Sequence, residues 1–432
     1  MQKERKNTAT GIISISSKGT GYVSVEGARL DQIDPEIDFR HLNTALHGDN
    51  VEILLHPKTK YRQTGEVIKI IKRNKLAFSG ILQKEKDTFL VKADDSKMYS
   101  PILVPKENLA GANLGQKIFV KITEWKNKNS LPIGQITKIF GRPGENNAEM
   151  EAIAMEKGFS SNFPNAVEKE AEKIKQHGIT KADGAGRRDF RQTLTFTIDP
   201  ADAKDFDDAI SFRILNDKNQ KEKYEVGIHI ADVSHYVRPG TEIDKEASER
   251  GTSVYLVDRT IPMLPEVLSN DLCSLVEGQD RLTMSAVFIM DQNGKVHDEW
   301  YGKTIIHSQK RFTYEEAEES IHKSGTHLHQ ELKTLNQIAK KLNQERFSHG
   351  AISLEQTEVK FVLDEKGTPV KVITKERGDS NKMIEELMLL ANKKVAKIIS
   401  GKDMVAIYRV HDLPDKDKTE DLIFFLRSLG HK

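Results

Sequence analysis

Residues 196–210 read Phe-Thr-Ile-Asp-Pro-Ala-Asp-Ala-Lys-Asp-Phe-Asp-Asp-Ala-Ile, with a short apolar run on each side of a group of aspartates. Asp199 ends the first run and Ala209 begins the second, which predicts two β-strands joined by an acidic loop. Asp202 lies in the middle of that loop and is typical of a turn. We therefore expect four carboxylates to lie together between the two strands: those of Asp199, Asp205, Asp207 and Asp208.

Carboxylates packed between apolar strands repel one another, and their pKa values rise unless cations neutralise them. Hard oxygen ligands of this kind suit Mg²⁺ or Mn²⁺. Two divalent ions about 3.5–4 Å apart can hold the attacking and leaving oxygens of a phosphoryl transfer. The aspartate segment therefore predicts a divalent-metal site, and a solvated acidic turn is the alternative.

Other metal-like patterns are weaker. An EF-hand is excluded because the loop lacks glycine at the sixth position from each possible start. His229, Asp232 and His235 have the spacing of metal ligands, but hydrogen-bonded structural roles are the favoured interpretation. The His-rich segment 322–330 indicates a solvated helix connection, because no acidic or cysteine partner repeats at ligand spacing.

From residue 191 onward the hydrophobic pattern is mixed α/β. Strands are predicted over 194–198 and 225–230, and the apolar residues of 383–399 recur at helical spacing. Before this region, residues 141–190 predict a junction with two helices, over 149–158 and 166–176.

The first 140 residues are rich in short β-branched runs and contain an internal repeat at a shift of 67 residues. Tyr22 falls on Phe89 at the same shift. About five strands in some 65 residues is the size of an OB-fold barrel, and an SH3-like unit is the alternative. Five positions define the repeat: Leu42, Ala45, Gly48, Val51 and Ile53 correspond to Leu109, Ala112, Gly115, Ile118 and Val120.

The formal net charge of +1 hides an asymmetry. Residues 1–150 carry 24 Lys+Arg against 17 Asp+Glu, whereas the rest of the chain carries 42 against 48. A basic front half favours a polyanionic partner. The 432 residues contain no apolar run of membrane-spanning length and no secretory signal, and the single cysteine, Cys273, suits a reducing cytoplasm.

The segment TIDPADAKDFDDAI resembles the signature of the ribonuclease II/R family, in its catalytic RNB domain. Three further blocks are similar to that family: IHIADVSHYV (228–237), IPMLPEVLSNDLCSL (261–275) and EELMLLANKKVA (385–396). The two β modules resemble the tandem cold-shock domains of the same family. The implied architecture is multidomain, with OB-fold, cold-shock-like barrels over 1–70 and 71–142, a helical junction over 143–190 and an incomplete mixed α/β RNB domain over 191–432.

The resemblance implies a processive, Mg²⁺-dependent 3′→5′ exoribonuclease, for which Mn²⁺ could substitute. It would degrade single-stranded or structured RNA to nucleoside 5′-monophosphates by metal-assisted, in-line attack of water. The implied protein is a cytoplasmic monomer that binds the single-stranded 3′ end of RNA and no membrane, with the ribosome or RNA-decay proteins as further partners. The alternative is a catalytically impaired RNA-binding or translational regulator, which typically has lost one of the four aspartates.

The resemblance also implies roles for individual residues that match the motifs of the family. Asp199, Asp205 and Asp208 would hold metal, and Asp207 would bind metal and orient the attacking water. Three residues would contact the terminal nucleotide, with Tyr255 stacking on its base: Tyr255, Tyr314 and Glu385. A carboxylate beside the sugar could accept a hydrogen bond from the 2′-OH, the group that RNA has and DNA lacks.

The sequence departs from the family at two places. Lys18 and Tyr22 would bind RNA on the first barrel, but Thr20 stands where an aromatic is usual, so phosphate contacts should dominate there. Family chains usually continue with a Ser-Pro-Ile-Arg block and an S1 domain, neither of which is in this sequence. We therefore expect the 432 residues to be a fragment that binds RNA and cleaves it weakly or not at all.

Overall fold

The structure, a computed structural model, describes most of the chain in two compact units. The first unit comprises Met1–Pro164, Ala247–Met263 and Phe361–Ile373, and the second comprises Asn165–Glu246, Leu264–Lys360 and Thr374–Lys432. The described residues are 7–29, 32–57, 62–215, 222–353, 358–365, 367–374, 377–402, 404–410 and 412–431.

Two closed five-stranded barrels form the body of the first unit. The first barrel has the order β1-β2-β3-β5-β4, from Thr8–Ile15 (β1), Gly21–Val25 (β2), Glu36–Ile37 (β3), Asn50–Leu55 (β4) and Thr64–Lys72 (β5). The second has the order β10-β8-β7-β6-β9, from Ala77–Glu85 (β6), Thr88–Ala93 (β7), Ile102–Leu103 (β8), Lys117–Glu124 (β9) and Ile133–Gly141 (β10). The prediction of two small β-barrels is confirmed.

The internal repeat has a structural basis. Strands β4 and β9 start 67 residues apart, which is the shift of the repeat. Gly48 and Gly115 lie two residues before these strands and have φ of +84° and +81°. A side chain rarely adopts that conformation, which explains the glycine at each position. The N–H of Gly48 donates to the carbonyl of Ile13 at 2.7 Å, and that of Gly115 donates to the carbonyl of Leu82 at 2.8 Å. Each glycine thus ties the turn before the strand to the first strand of its barrel.

Two helices follow the barrels, where the sequence predicts helices over 149–158 and 166–176. The first, Asn146–Glu156 (α1), packs against the second barrel, and the second is Asn165–His177 (α2). Lys117 of β9 joins α1 to this barrel through an ion pair with Glu149 at 2.7 Å. The division of the chain at residues 70, 142 and 190 stays a prediction.

The second unit is built on a seven-stranded sheet of order β11-β18-β17-β14-β13-β12-β19, in which β12 lies parallel to β19 and antiparallel to β13. The strands of this sheet are Arg188–Asp189 (β11), Thr195–Asp199 (β12), Asp208–Leu215 (β13), Lys223–Ala231 (β14), Asp280–Asp291 (β17), Val296–His307 (β18) and Lys310–Thr313 (β19). Outside it, Val254–Tyr255 (β15) pairs with Thr260–Ile261 (β16), and Val359–Leu363 (β20) pairs with Pro369–Thr374 (β21). The strands predicted over 194–198 and 225–230 correspond to β12 and β14.

Three mutually packed helices, α5, α6 and α7, share the main core of the second unit with the sheet. The remaining helices are Val233–Tyr236 (α3), Glu242–Arg250 (α4), Tyr314–His322 (α5), His329–Ser348 (α6), Asp379–Gly401 (α7) and Lys416–Ser428 (α8). The helix predicted over 383–399 lies within α7. Its apolar face is buried at Ile384, Leu387 and Ala391, whereas Val395 near its end is 37% exposed. Within the described ranges, no helix combines the length and hydrophobicity that a membrane span requires.

Candidate active site

The aspartate segment joins two neighbouring internal strands of the sheet, at the carboxyl end of β12 and the amino end of β13. Asp199 is the last residue of β12, and Asp208 is the first residue of β13, which pairs antiparallel with β12. On its other side β12 pairs with β19, where Asp199 lies opposite Thr313. Strand ends therefore position two of the four predicted acids, and the connecting loop carries Asp205 and Asp207.

Polar contacts from elsewhere in the unit hold the loop in place. The Ser274 hydroxyl accepts the N–H of Phe206 at 3.0 Å and donates to the carbonyl of Lys204 at 2.9 Å. The Arg311 guanidinium donates to the carbonyl of Pro200 at 2.9 Å. The acids thus stand on a loop whose backbone is fixed at both of its ends.

The acids disfavour one another's ionisation. Burial, and secondarily the charge of Asp208, raises the pKa of Asp199 to about 7, while Arg311 acts in the opposite direction. Burial and the charge of Asp207 raise the pKa of Asp208 to about 6. Burial and the charge of Asp205 also raise the pKa of Asp207. In addition, the Oδ2 atom of Asp199 is buried without a hydrogen-bond partner in the described structure.

No three of these acids bring their oxygens within 4.8 Å of one another, and within the described ranges a different group does so. His322 Nε2 lies 3.1 Å from Glu318 Oε1 and 3.4 Å from Asp379 Oδ2. The premise that no acidic partner stands at ligand spacing is wrong at His322, which lies four residues after Glu318, whereas the interpretation of 322–330 as a solvated helix connection stays a prediction. Lys340 contacts the same Asp379 oxygen at 2.6 Å, so the group forms an ion-pair network between α5, α6 and α7.

Tyr314 lies beside the aspartates. It is the first residue of α5 and directly follows Thr313, the residue opposite Asp199 in the sheet. Burial raises the pKa of the Tyr314 phenol to about 12, and the charges of Asp208 and Asp199 contribute to the rise. The structure thus brings this predicted nucleotide contact together with the predicted metal ligands.

Glu385 lies on α7 and is connected to the same region through an arginine. The Arg377 Nη2 atom lies 2.6 Å from Glu385 Oε2, and the positive charge of Arg377 partly offsets the rise in the pKa of Tyr314. A second guanidinium, that of Arg346, lies 3.8 Å from Glu385 and pairs mainly with the buried Glu386. Sequence reasoning missed both arginines.

The remaining predicted RNA contacts belong to the first unit. Tyr255 lies on β15, and its ring is 67% exposed. Tyr22 lies on β2, where the Arg62 guanidinium covers one face of its ring at 4.5 Å. Lys18 is exposed in the turn between β1 and β2. These three residues therefore belong to a different unit from the aspartates.

The histidine pattern of 229–235 is structural. His229 is fully buried between two serine hydroxyls at 2.7 and 2.8 Å, and burial lowers its pKa to about 3. Asp232 pairs with Arg187 at 2.7 Å, and His235 lies 3.2 Å from Asp183. Each side chain has a different partner, as the hydrogen-bonded interpretation predicts.

Comparison with known families agrees with this architecture. The RNB domain model matches residues 187–431, the cold shock domain model matches 90–164, and the model of the ribonuclease B OB domain matches 11–70. The predicted fold class, two OB or cold-shock barrels followed by an RNB domain, is confirmed.

The chain is similar to ribonuclease R of Thermotoga maritima, with 36% identity over 89% of this chain and 55% of that protein. Its identity to ribonuclease R of Aquifex aeolicus is 31% over 99% of this chain and 60% of that protein. The structure of Mycoplasma genitalium RNase R in complex with ribose-methylated single-stranded RNA superposes with a TM-score of 0.87 at 26% identity, covering 98% of this chain and 66% of that one. The chain thus spans less than two thirds of the length of each relative.

Proposed function

The chain belongs to the RNB family of ribonucleases, and from this premise we propose that it hydrolyses RNA from the 3′ end to nucleoside 5′-monophosphates. The observation that supports the proposal is the group of acids where β12 ends and β13 begins, because burial and their mutual repulsion raise the pKa values of Asp199 and Asp208. Two relatives are named ribonuclease R, and one solved relative holds single-stranded RNA.

The donor chemistry of the four aspartates fits a divalent metal, although no three of them bring their oxygens within 4.8 Å of one another in this structure. Nucleases of this family depend on metal ions in general. The four aspartates offer only oxygen ligands, the type preferred by Mg²⁺ and Mn²⁺. The unpartnered Oδ2 of Asp199 is a buried acceptor that lacks a proton donor or cation, which supports this fit. We assign Asp199, Asp205, Asp207 and Asp208 as ligands of Mg²⁺, with Mn²⁺ as a substitute. The bound ion would stabilise charge on the phosphate and lower the pKa of water.

The chain's own residues would position the substrate. Asp207 is expected to accept a hydrogen bond from the attacking water and to orient it toward the last phosphodiester. Tyr314 and Glu385 would hold the last nucleotide, with the Glu385 carboxylate accepting a hydrogen bond from the 2′-OH. Tyr255 would stack on the terminal base, an interaction that tolerates all four bases.

The two barrels would bind the single strand upstream of the cleaved end. The exposed Lys18 would contact phosphates, and Tyr22, whose ring is covered on one face by Arg62, would stack on a base with its other face. The chain would act as a cytoplasmic monomer, and its single cysteine, the buried Cys273, suits a reducing compartment. The ribosome or RNA-decay proteins are further candidate partners.

The proposal predicts selectivity for RNA over DNA that depends on Glu385. With Mg²⁺, 5′-labelled RNA should shorten from its 3′ end, DNA of the same sequence should persist, and EDTA should stop the reaction. Glu385→Gln should reduce the ratio of RNA to DNA degradation rates roughly tenfold, because a charged acceptor for the 2′-OH becomes a neutral one.

The matched control for this assay is Glu319→Gln, an exposed helix residue paired with Lys323 at 2.8 Å. Its RNA-to-DNA ratio should equal that of the parent. Equal degradation of RNA and DNA by the parent, or equal products with EDTA, would contradict the proposed function. The alternative of an impaired RNA-binding regulator is not favoured, because all four aspartates are present and the relatives are named as nucleases.

A further inference from the structure

Three arginines of the second unit lie near the candidate nucleotide contacts. They differ in the hydrogen bonds of their guanidinium groups and in the exposure of their side chains. Arg311 donates through Nη2 to two backbone carbonyls of the aspartate loop, and its Nε is buried. Arg346 contacts the buried Glu386 with two nitrogens and is only 24% exposed. Arg377 pairs with Glu385 at 2.6 Å, yet 49% of its side chain is exposed. Of the three, Arg377 is therefore the one positioned to meet a ligand from solvent.

The backbone that carries Arg377 is fixed by a chain of contacts. Gly378 follows it, and a Cβ atom at Gly378 would collide with the carboxylate of Glu318. An oxygen of Glu318 accepts the N–H of Ser380 at 2.8 Å, and the hydroxyl of Ser380 donates to the carbonyl of Tyr314 at 3.0 Å. Arg377 thus lies next to a segment that is hydrogen-bonded to α5, the helix that begins at Tyr314.

Backbone geometry places Arg377 near the acids. Tyr314 directly follows Thr313, which lies opposite Asp199 in the sheet, and Ser380, three residues after Arg377, donates to the Tyr314 carbonyl at 3.0 Å. A phosphodiester that approaches the aspartates past Tyr314 would meet a half-exposed guanidinium. A guanidinium has five N–H donors in a planar fork, so one edge can pair with a carboxylate while another binds phosphate oxygens.

We propose that Arg377 binds the non-bridging oxygens of the last phosphodiester of the RNA, while Glu385 holds the guanidinium in its orientation. This inference rests on the proposed function and adds to it a residue that recognises the phosphate. Glu385 then has two roles, because it accepts a hydrogen bond from the 2′-OH of the last nucleotide and orients the arginine. Lysine cannot replace the fork, since an ammonium group is a point charge without two parallel donors.

The test measures RNA affinity without cleavage, in the Asp207→Asn background with Mg²⁺. Two 5′-fluorescent RNA oligomers are compared, one with a native last linkage and one with an uncharged methylphosphonate there. Both carry a 2′-deoxy penultimate nucleotide, which keeps the methylphosphonate stable, and a normal 3′-terminal ribose. Arg377→Ala should weaken binding of the native oligomer about 10- to 100-fold and that of the methylphosphonate oligomer less than about twofold. Arg377→Lys should recover only part of the loss.

Arg213→Ala is the matched control, because Arg213 is 52% exposed and pairs with Glu225 at 2.7 Å on the same sheet. It should leave both affinities unchanged. An equal loss for both oligomers in Arg377→Ala, no loss for either, or an equal loss in Arg213→Ala would overturn the assignment of Arg377 and leave the proposed function standing. If the Asp207→Asn chain binds neither oligomer, the proposed function fails, and the inference fails with it.

Discussion

Asp207→Asn should reduce the rate of RNA hydrolysis about 10²- to 10⁴-fold and change RNA affinity less than about threefold. Asparagine keeps the shape of the side chain but lacks the charge that holds metal and the basic oxygen that orients water. RNA binding should persist, because the contacts assigned to RNA lie on other residues. Removing one acid from a site that receives a phosphate also lessens repulsion. Single-turnover cleavage and fluorescence anisotropy measure the two quantities separately, in the 432-residue chain and in a full-length relative.

Asp202→Asn is the matched control, because Asp202 lies in the same loop but is 74% exposed and faces Lys360 at 3.5 Å. Its cleavage rate should stay within about twofold of the parent rate, since an exposed ion pair contributes little. A cleavage rate for Asp207→Asn close to that of the parent would contradict the role of Asp207. An equal loss in the two variants would show that the effect belongs to the loop and not to Asp207.

Asp199→Asn should stabilise the metal-free chain at pH 8. The pKa of Asp199 is about 7 in the folded chain against an ordinary 3.8, so the folded state holds this proton until pH 7 and the unfolded state releases it near pH 4. The stabilisation from the neutral carboxyl is therefore complete below about pH 4 and is lost as the pH rises through 7. A shift of this size corresponds to as much as about 4 kcal/mol. The amide of the Asp199→Asn variant has no such proton to lose, so the variant should lose less stability across this range.

Urea unfolding in EDTA between pH 4.5 and 8.5 measures this difference. The chain has two tryptophans, and Trp125→Phe leaves Trp300, which lies on β18, as the reporter of the second unit. Mg²⁺ should restore stability to the parent at pH 8 but much less to Asp199→Asn. Asp298→Asn, at an exposed position of β18, is the control, and its stability should change with pH as that of the parent does. Parallel loss of stability in the parent and in Asp199→Asn would show that burial of this carboxyl does not control the pH dependence.

The parts of this structure that were predictable from sequence depend on short-range constraints. The barrels could be predicted because buried positions and a left-handed glycine recur at a fixed shift, and Gly48 and Gly115 indeed occupy matching turns. The acidic loop could be predicted because apolar strands adjoin it on both sides. In each case the residues that interact are close in the chain or repeat at a regular period.

Contacts between distant segments were not predictable in this way. Glu318 and His322 have helical spacing, but Asp379 joins them only because α5 packs against α7. Arg377 next to Glu385 requires the turn before α7 to fold back along the helix, for which a single sequence gives no signal. The apolar spacing over 383–399 predicted a buried face along the whole helix, but the core does not extend that far, and Val395 is partly exposed.

Direct titration with Mn²⁺ tests whether the aspartates between β12 and β13 bind a divalent cation. Calorimetry at pH 7 in two buffers of different ionisation enthalpy also counts the protons released, because carboxyls with raised pKa values must ionise on binding. We expect the parent and His322→Ala to bind Mn²⁺ alike with release of protons, and Asp208→Asn to bind at least about tenfold more weakly. Equal affinity in the parent and Asp208→Asn, or loss of binding in His322→Ala alone, would contradict this expectation.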